Sequence, residues 1–195
     1  MENANLFNTF KVAAEAVGAV VHKAANPLEA AGIVSRIMED LSVTRVVSVA
    51  TPLEQELKLA EVLASKNVQL NYDNMAENSF LADAGVAEVD LAVAEIGSLC
   101  QKDCSNINLR LASTLPTTHI ALVRTSGLVK DLPACMNKIY EEFGAQLPGY
   151  MAFITGPSRT ADIERVLTIG VHGPKSLYIV FVDSDSAEGG NSLGN

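Results

Sequence analysis

Hydrophobic and polar positions follow two periods along this chain, one typical of amphipathic helices and one typical of buried strands. Apolar residues at helical spacing predict a first helix that ends near Gly18. A β-branched run over 19–23 predicts a short strand, and Asn26-Pro27 marks the start of a helix over 28–41. The chain therefore begins as helix, strand, helix.

The same alternation continues to the carboxyl end of the sequence. Further strands are predicted over 45–50, 68–72, 91–99, 119–123, 150–155 and 176–183. Further helices are predicted over 51–66, 78–85, 107–115 and 128–143, with another that begins near Thr160. Strands that alternate with helices indicate an α/β fold with a mainly parallel sheet wrapped by helices. We expect one domain over 1–183 and a flexible polar tail over 184–195.

Composition narrows the class of protein further. The 195 residues are 48% hydrophobic, enough for one core, and no apolar run reaches the length of a membrane span. The amino terminus lacks the pattern of a signal peptide, so a cytoplasmic protein is expected. Lys and Arg number 14 against 23 Asp and Glu, a net charge of −9 that disfavours nucleic acid. A local site for a small anion remains compatible with this charge.

Two short segments, 156–164 and 170–174, are the candidates for such a site. Gly156-Pro157-Ser158 follows a predicted strand and precedes the helix near Thr160, where unpaired N–H groups suit an anion. Arg159 adds a planar cation that can hold a carboxylate or phosphate with two hydrogen bonds. The candidate ligand-binding residues are Gly156, Ser158, Arg159, Thr160 and Gly173. The alternative is a locally capped helix, with Asp162 and Glu164 in its first turn.

Two side chains are candidates for catalysis. His172 stands in the tight loop 170–174, where an imidazole can act as acid, base or hydrogen-bond donor. The alternative is a ring that caps nearby carbonyl groups. Glu95 lies in an otherwise apolar predicted strand, and an ionised carboxylate buried there needs a partner. A structural ion pair with Arg110 or Arg124 is the alternative to a functional role.

Metal ligands and cofactor motifs are not expected in this chain. Cys100, Cys104 and Cys135 are three thiols, one fewer than an iron–sulfur cluster usually takes, and the three histidines show no zinc-ligand spacing. The glycine patterns of dinucleotide sites, P-loops and nucleophile elbows are also missing.

The segments 156–164 and 170–174, together with 94–98, resemble the lactate-utilisation protein C family, whose members carry the LUD domain. The resemblance implies a fold similar to the sugar-phosphate isomerase and coenzyme A transferase superfamily. It also implies an accessory subunit in the oxidation of L-lactate to pyruvate, acting with iron–sulfur partner proteins that carry the clusters. Its ligand would be a small carboxylate or a phosphate-bearing molecule, bound at the carboxyl ends of the parallel strands. Ile96 stands where the family often has Thr.

Two other functions remain open at this point. Glu95-Ile96-Gly97 is similar to the nucleophile segment of coenzyme A transferases, which suggests a stand-alone enzyme of acyl or coenzyme A transfer. A protein that only scaffolds or regulates its iron–sulfur partners would bind no small molecule.

Overall fold

The fold is described here from a computed structural model for residues 2–102, 105–160 and 168–183, with side chains for 5–102, 105–160 and 169–183. The helices are α1 (Glu2–Ala16), α2 (Pro27–Asp40), α3 (Pro52–Glu56), α4 (Leu59–Ser65), α5 (Met75–Leu81), α6 (Ile107–Thr114) and α7 (Leu132–Phe143). The strands are β1 (Val20–Ala24), β2 (Arg45–Ser48), β3 (Gln69–Asn71), β4 (Ala84–Val89), β5 (Leu91–Val93), β6 (Ser98–Gln101), β7 (Thr118–Arg124), β8 (Leu128–Val129), β9 (Ala152–Ile154), β10 (Arg159–Thr160), β11 (Thr168–Ile169) and β12 (Ser176–Val182).

A six-stranded parallel sheet forms the centre of the molecule, in the order β1-β12-β7-β4-β2-β3. Its middle strands are buried on both faces, which is why they read as continuous apolar runs rather than alternating ones. The expected α/β fold with a mainly parallel sheet is confirmed.

Alternate residues of β7 belong to two different cores. Ile120 and Leu122 face α2 and α4, whereas Ala121 and Val123 face α1 and the smaller sheet. This follows from the period of two along a strand. On the second face the ring of Phe181 meets that of Phe10 edge to face, with centroids 5.0 Å apart. The sheet is therefore covered on both sides.

A second sheet, β8-β5-β6-β9, corrects the prediction of one strand over 91–99. The chain turns back at Ala94–Ile96, so that β5 and β6 pair antiparallel. Gly97 permits this turn, because its φ of +62° is strained for other residues. Helix α1 also occupies the space of a Cβ there, 2.3 Å from the backbone nitrogen of Ala14.

Other predicted boundaries differ for identifiable reasons. The predicted helix over 51–66 is divided into α3 and α4 at Lys58, which has a left-handed backbone with φ +49°. The predicted helix over 128–143 starts later, because the Asp131 side chain accepts a hydrogen bond from Ala134 N and caps α7.

The central strand β4 was not predicted, and its first residues were assigned to a helix over 78–85. Its sequence is rich in small residues that carry little strand propensity. Pairing with β2 on one side and β7 on the other makes it a buried strand. The helix that precedes it, α5, ends at Leu81.

The prediction that a helix begins near Thr160 is wrong for Thr160 itself. Arg159–Thr160 is a strand that pairs antiparallel with Thr168–Ile169. Residues 161–167, including Asp162 and Glu164, lie outside the described residues, as does the predicted tail over 184–195. Within the described residues, no helix is long and apolar enough to cross a membrane.

Candidate functional site

The two segments singled out in the sequence form one structural unit. Ser158 N donates a hydrogen bond to the carbonyl of Pro174 at 2.9 Å, and Gly170 N donates to the carbonyl of Ser158 at 2.9 Å. Gly173 packs against the same serine, because a Cβ on this glycine would lie 3.1 Å from Ser158 Cβ. We call the residues 156–160 and 168–174 the loop unit.

The loop unit lies at the amino ends of the parallel strands, not at the carboxyl ends where a ligand was expected. Lys175 alone separates it from β12, and Lys175 N donates to the carbonyl of Thr117, the residue before β7, at 2.8 Å. Residues that precede a strand lie at its amino end. Parallel β7 and β12 therefore place the loop unit at one edge of the sheet, which we call the amino edge.

A cavity of about 380 Å³ opens beside the loop unit and is called the amino-edge cavity. It is lined by Phe80, Thr114, Leu115, Thr117, Gly170, Val171, His172, Gly173 and Lys175. None of these lining residues is acidic. His172 is exposed, and neither its imidazole nor the Lys175 ammonium is paired with a carboxylate in the described residues. Among the described residues, therefore, no carboxylate occupies either side chain.

Gly170 creates the space through which the Lys175 side chain reaches the cavity. A Cβ on Gly170 would lie 2.0 Å from Lys175 Cγ, and the glycine has a φ of +77°. Sequence reasoning did not identify Lys175. The available signal was its position directly after Gly173-Pro174, the end of the motif.

Arg159 is directed toward helix α1. Its guanidinium donates a hydrogen bond to the carbonyl of Val17, just past the end of α1, where helix carbonyls carry partial negative charge. Gly156 packs on the same carbonyl, since a Cβ there would lie 2.6 Å from the oxygen. Arg159, Gly156 and Thr160 do not line the amino-edge cavity.

Glu95 is exposed at the turn between β5 and β6, so the premise of a buried carboxylate was wrong. Its backbone nitrogen donates to the carbonyl of Lys130 at 3.0 Å. Neither suggested arginine pairs with it. Arg110 lies over the ring of Tyr150 at 4.4 Å, and Arg124 binds Glu56.

The small sheet brings the Glu95 turn and the start of the loop unit to the same end. Ser98, which opens β6, and Thr155, which follows β9, share a hydrogen bond of 2.6 Å between their hydroxyl groups. Because β6 and β9 run antiparallel, the segments 94–97 and 156–159 both leave the sheet at that end.

A larger cavity of about 550 Å³ lies at the carboxyl ends of β4 and β7 and is called the carboxyl-edge cavity. It is lined by Glu88, Val89, Asp90, Leu91, Lys102, Arg124, Ser126, Gly127, Lys138, Glu141 and Glu142. Open α/β sheets usually bind ligands at this edge.

Each cation that lines the carboxyl-edge cavity already binds another group of the protein. Arg124 donates two hydrogen bonds to Glu56, at 2.7 and 3.0 Å, and these bonds raise the pKa of Arg124 and lower that of Glu56. Lys102 pairs with Glu142 and Asp90, and burial raises the pKa of Asp90. Lys138 donates to a backbone carbonyl at 3.2 Å. The carboxyl-edge cavity thus contains several carboxylates, whereas the lining of the amino-edge cavity has none.

Metal-binding geometry is not found in the described residues. No group of three or more His, Cys, Asp or Glu side chains there could hold an ion. Cys100 and Cys135 are buried together in the core beneath α7.

The fold and the site together define the class of this protein. It is a parallel α/β domain with a glycine-rich loop unit at the amino edge of its sheet. Residues 7–182 match the family model of the LUD domain, and the chain belongs to this family. The resemblance seen in the sequence motifs is confirmed.

Relatives named "Lactate utilization protein C" support this assignment. The one from Halalkalibacterium halodurans is 31% identical over 77% of this chain and 68% of its own length. The one from Shouchella clausii is 37% identical over 66% of this chain and 58% of its own length. Several other relatives are matched over less than half of their length, such as the one from Oceanobacillus iheyensis at 44%.

A solved structure shares the fold. The crystal structure of a DUF162 family protein from Deinococcus radiodurans superposes with a TM-score of 0.68 at 18% identity, over 93% of this chain and 99% of that one.

Proposed function

We propose that this protein is a component of a lactate-utilisation system and binds a small carboxylate in the amino-edge cavity. The names of its relatives supply the metabolic context. The observation that carries the proposal is the cavity lining, which includes a lysine and a histidine and no acidic residue among those described. This lining contrasts with the net charge of −9 over the whole sequence.

The lining residues suit a 2-hydroxy acid. The Lys175 ammonium would pair with the carboxylate as a charge-assisted hydrogen bond. The His172 imidazole would hydrogen-bond the 2-hydroxyl or 2-oxo oxygen, and the hydroxyls of Thr114 and Thr117 offer further polar contacts. Ser158 supports the site through its backbone bonds to Gly170 and Pro174.

In this proposal a second protein is needed to accept the electrons that the oxidation of lactate releases. Oxidation of lactate to pyruvate removes two electrons and two protons, and iron–sulfur partner subunits would accept the electrons. The present chain would act as an accessory subunit without a cofactor of its own. Affinity purification from cells grown on lactate should recover iron–sulfur proteins with it, and recovery of the chain alone would contradict this part of the proposal.

Calorimetric titration with L-lactate and with pyruvate tests the binding site. Lys175→Met should weaken binding about 10- to 100-fold, the effect of removing one hydrogen bond to a charged group. Lys138→Met is the matched control, because this lysine lines the carboxyl-edge cavity instead. Equal affinities for wild type and Lys175→Met would refute the assignment of the amino-edge cavity.

A second candidate function is coenzyme A transfer through Glu95, which is favoured by a carboxylate that is exposed and has no ion-pair partner among the described residues. The carboxylate would attack the carbonyl of an acyl-coenzyme A and release the coenzyme A thiolate, which would then attack the glutamyl carbonyl and expel the acid. Hydroxylamine converts the resulting glutamyl thioester to a hydroxamate that mass spectrometry locates. An unmodified Glu95 would exclude this function, and Glu95→Gln is the control for a signal from other residues.

A further inference from the structure

The amino-edge cavity has an apolar wall as well as a polar end. Phe80 is 78% exposed, Val171 is 52% exposed and Leu115 is 45% exposed, and all three line this cavity. Large apolar side chains that gather around one cavity, rather than being scattered over the surface, mark a binding surface.

The wall is assembled from three separate parts of the fold. Phe80 lies on α5, Leu115 directly follows α6, and Val171 belongs to the loop unit. Helices α5 and α6 pack against each other, which fixes the relative positions of the two backbone segments that carry Phe80 and Leu115. Since no single amphipathic helix accounts for the wall, its convergence on the cavity is a property of the tertiary structure.

The polar and apolar parts of this lining together indicate the shape of the ligand. Lys175 and His172 would hold a carboxylate and an adjacent oxygen, as in the proposed function on which this inference rests. Lactate offers the apolar wall a single methyl group. A cavity of about 380 Å³ has room for a larger side chain.

We propose that the amino-edge cavity prefers 2-hydroxy or 2-oxo carboxylates whose apolar chain is longer than the methyl group of lactate, with Phe80 and Val171 as the residues that determine this specificity. Each methylene that moves from water onto the wall strengthens binding roughly fourfold. A branched four-carbon chain therefore binds at least tenfold more tightly than lactate.

Calorimetry with the full chain and a ligand series tests this preference. The series consists of L-lactate, 2-hydroxybutyrate, 2-hydroxy-4-methylpentanoate and 3-phenyllactate. We expect affinity to rise along the series for the wild type. Phe80→Ala should flatten the rise, so that the longer acids lose more affinity than lactate does, because lactate places only one methyl group on the wall. Tyr140→Ala is the control, as this exposed aromatic on α7 lies outside the cavity lining.

The outcomes separate this inference from the proposed function. If lactate binds and the longer acids bind no more tightly, the chain-length preference is wrong and the carboxylate site stands. If none of the acids binds, both are wrong. If Phe80→Ala keeps the full rise, Phe80 does not form the wall. Val171→Ser provides a second test should Phe80→Ala fail to fold, and an unchanged rise in that variant also counts against the proposal.

Discussion

At the amino edge, glycines that leave room for a neighbouring side chain are as important to the structure as residues with polar groups. Gly170 has no side chain where the Lys175 stem passes, and Gly173 leaves room for Ser158. Arg159, the most conspicuous cation of the sequence motif, instead binds the carbonyl of Val17. In the proposed site the charge for a ligand comes from Lys175, which stands just outside the recognised motif.

Gly170→Ala should weaken carboxylate binding, because its Cβ would meet Lys175 Cγ at 2.0 Å and displace the lysine. Calorimetry with lactate is expected to show a loss of about tenfold or more. Gly144→Ala is the matched control, since Gly144 also has a positive φ, +58°, but open space around it. The control variant should also carry a backbone strain of about 1–3 kcal/mol, and it should keep the affinity. Equal binding by both variants would mean that Lys175 does not contact the ligand.

Buried His119 should make the protein less stable in mild acid. Burial lowers the pKa of His119 to about 4, and its Nε2 has no hydrogen-bond partner in the described residues. Below pH 6.5 the unfolded chain binds a proton there that the folded chain does not. The free energy of unfolding therefore falls as the pH decreases from 7 toward 4, by about 2 kcal/mol between pH 7 and pH 5.

Urea denaturation at several pH values measures this effect. His119→Leu should flatten the dependence between pH 7 and pH 5, although half-buried His22, whose pKa burial also lowers, leaves a smaller slope. Val12→Ala serves as the control, because this exposed side chain carries no titratable group and should not change the profile. An unchanged slope in His119→Leu would show that His119 is not the group responsible.

At the scale of elements, helices approach strands closely where a glycine stands in the strand. A Cβ on Gly85 of β4 would lie 1.8 Å from the carbonyl oxygen of Ala112 in α6. Helix α6 ends beside the amino-edge cavity, which Thr114 and Leu115 line. The packing of α6 on β4 therefore positions one side of the site.

Gly85→Ala should destabilise the fold by about 1–3 kcal/mol, because backbone must move to admit the methyl group. Gly32→Ala in α2 has nothing within 4 Å of the added Cβ and should stabilise the protein by about 0.5–1 kcal/mol. Denaturant midpoints of the two variants should thus move in opposite directions. A Gly85→Ala protein as stable as the wild type would contradict the close contact.

For the whole molecule, the distribution of charge distinguishes the two edges of the sheet. Carboxylates neutralise Arg124 and Lys102 at the carboxyl edge, whereas Lys175 is unpaired in the described residues at the amino edge. An excess of acidic residues overall is therefore compatible with the proposed local site for an anion.

Lactate should raise the melting temperature of the wild type and of Arg124→Met, and should raise that of Lys175→Met much less. A ligand that binds the folded state at 100 times its Kd adds about 2.7 kcal/mol to the free energy of unfolding. Without lactate, Arg124→Met is expected to have a lower melting temperature than the wild type, because Glu56 and Glu88 lose their ion-pair partner. A lactate response that Arg124→Met abolished would place the ligand at the carboxyl edge instead.

The sequence by itself determined the α/β class, most of the helices and strands, and the motif that identifies the LUD domain. Helical spacing, buried apolar runs and caps such as Asn26-Pro27 are local signals, and they carry over directly into structure. The approach of 156–160 to 170–174 was anticipated only as a shared motif, and the structure joins these segments by hydrogen bonds.

Only the tertiary structure decided at which edge of the sheet the candidate site lies, which cations pair with carboxylates among the described residues, and where Glu95 lies. Strand order, the reversal at Gly97 and the burial of β4 depend on contacts between residues distant in sequence. A cation can bind a ligand when no carboxylate of the protein pairs with it. Such pairing depends on residues distant in sequence, so local sequence patterns do not predict it. For this reason Arg159 stood out in the sequence, whereas Lys175 stands out in the structure.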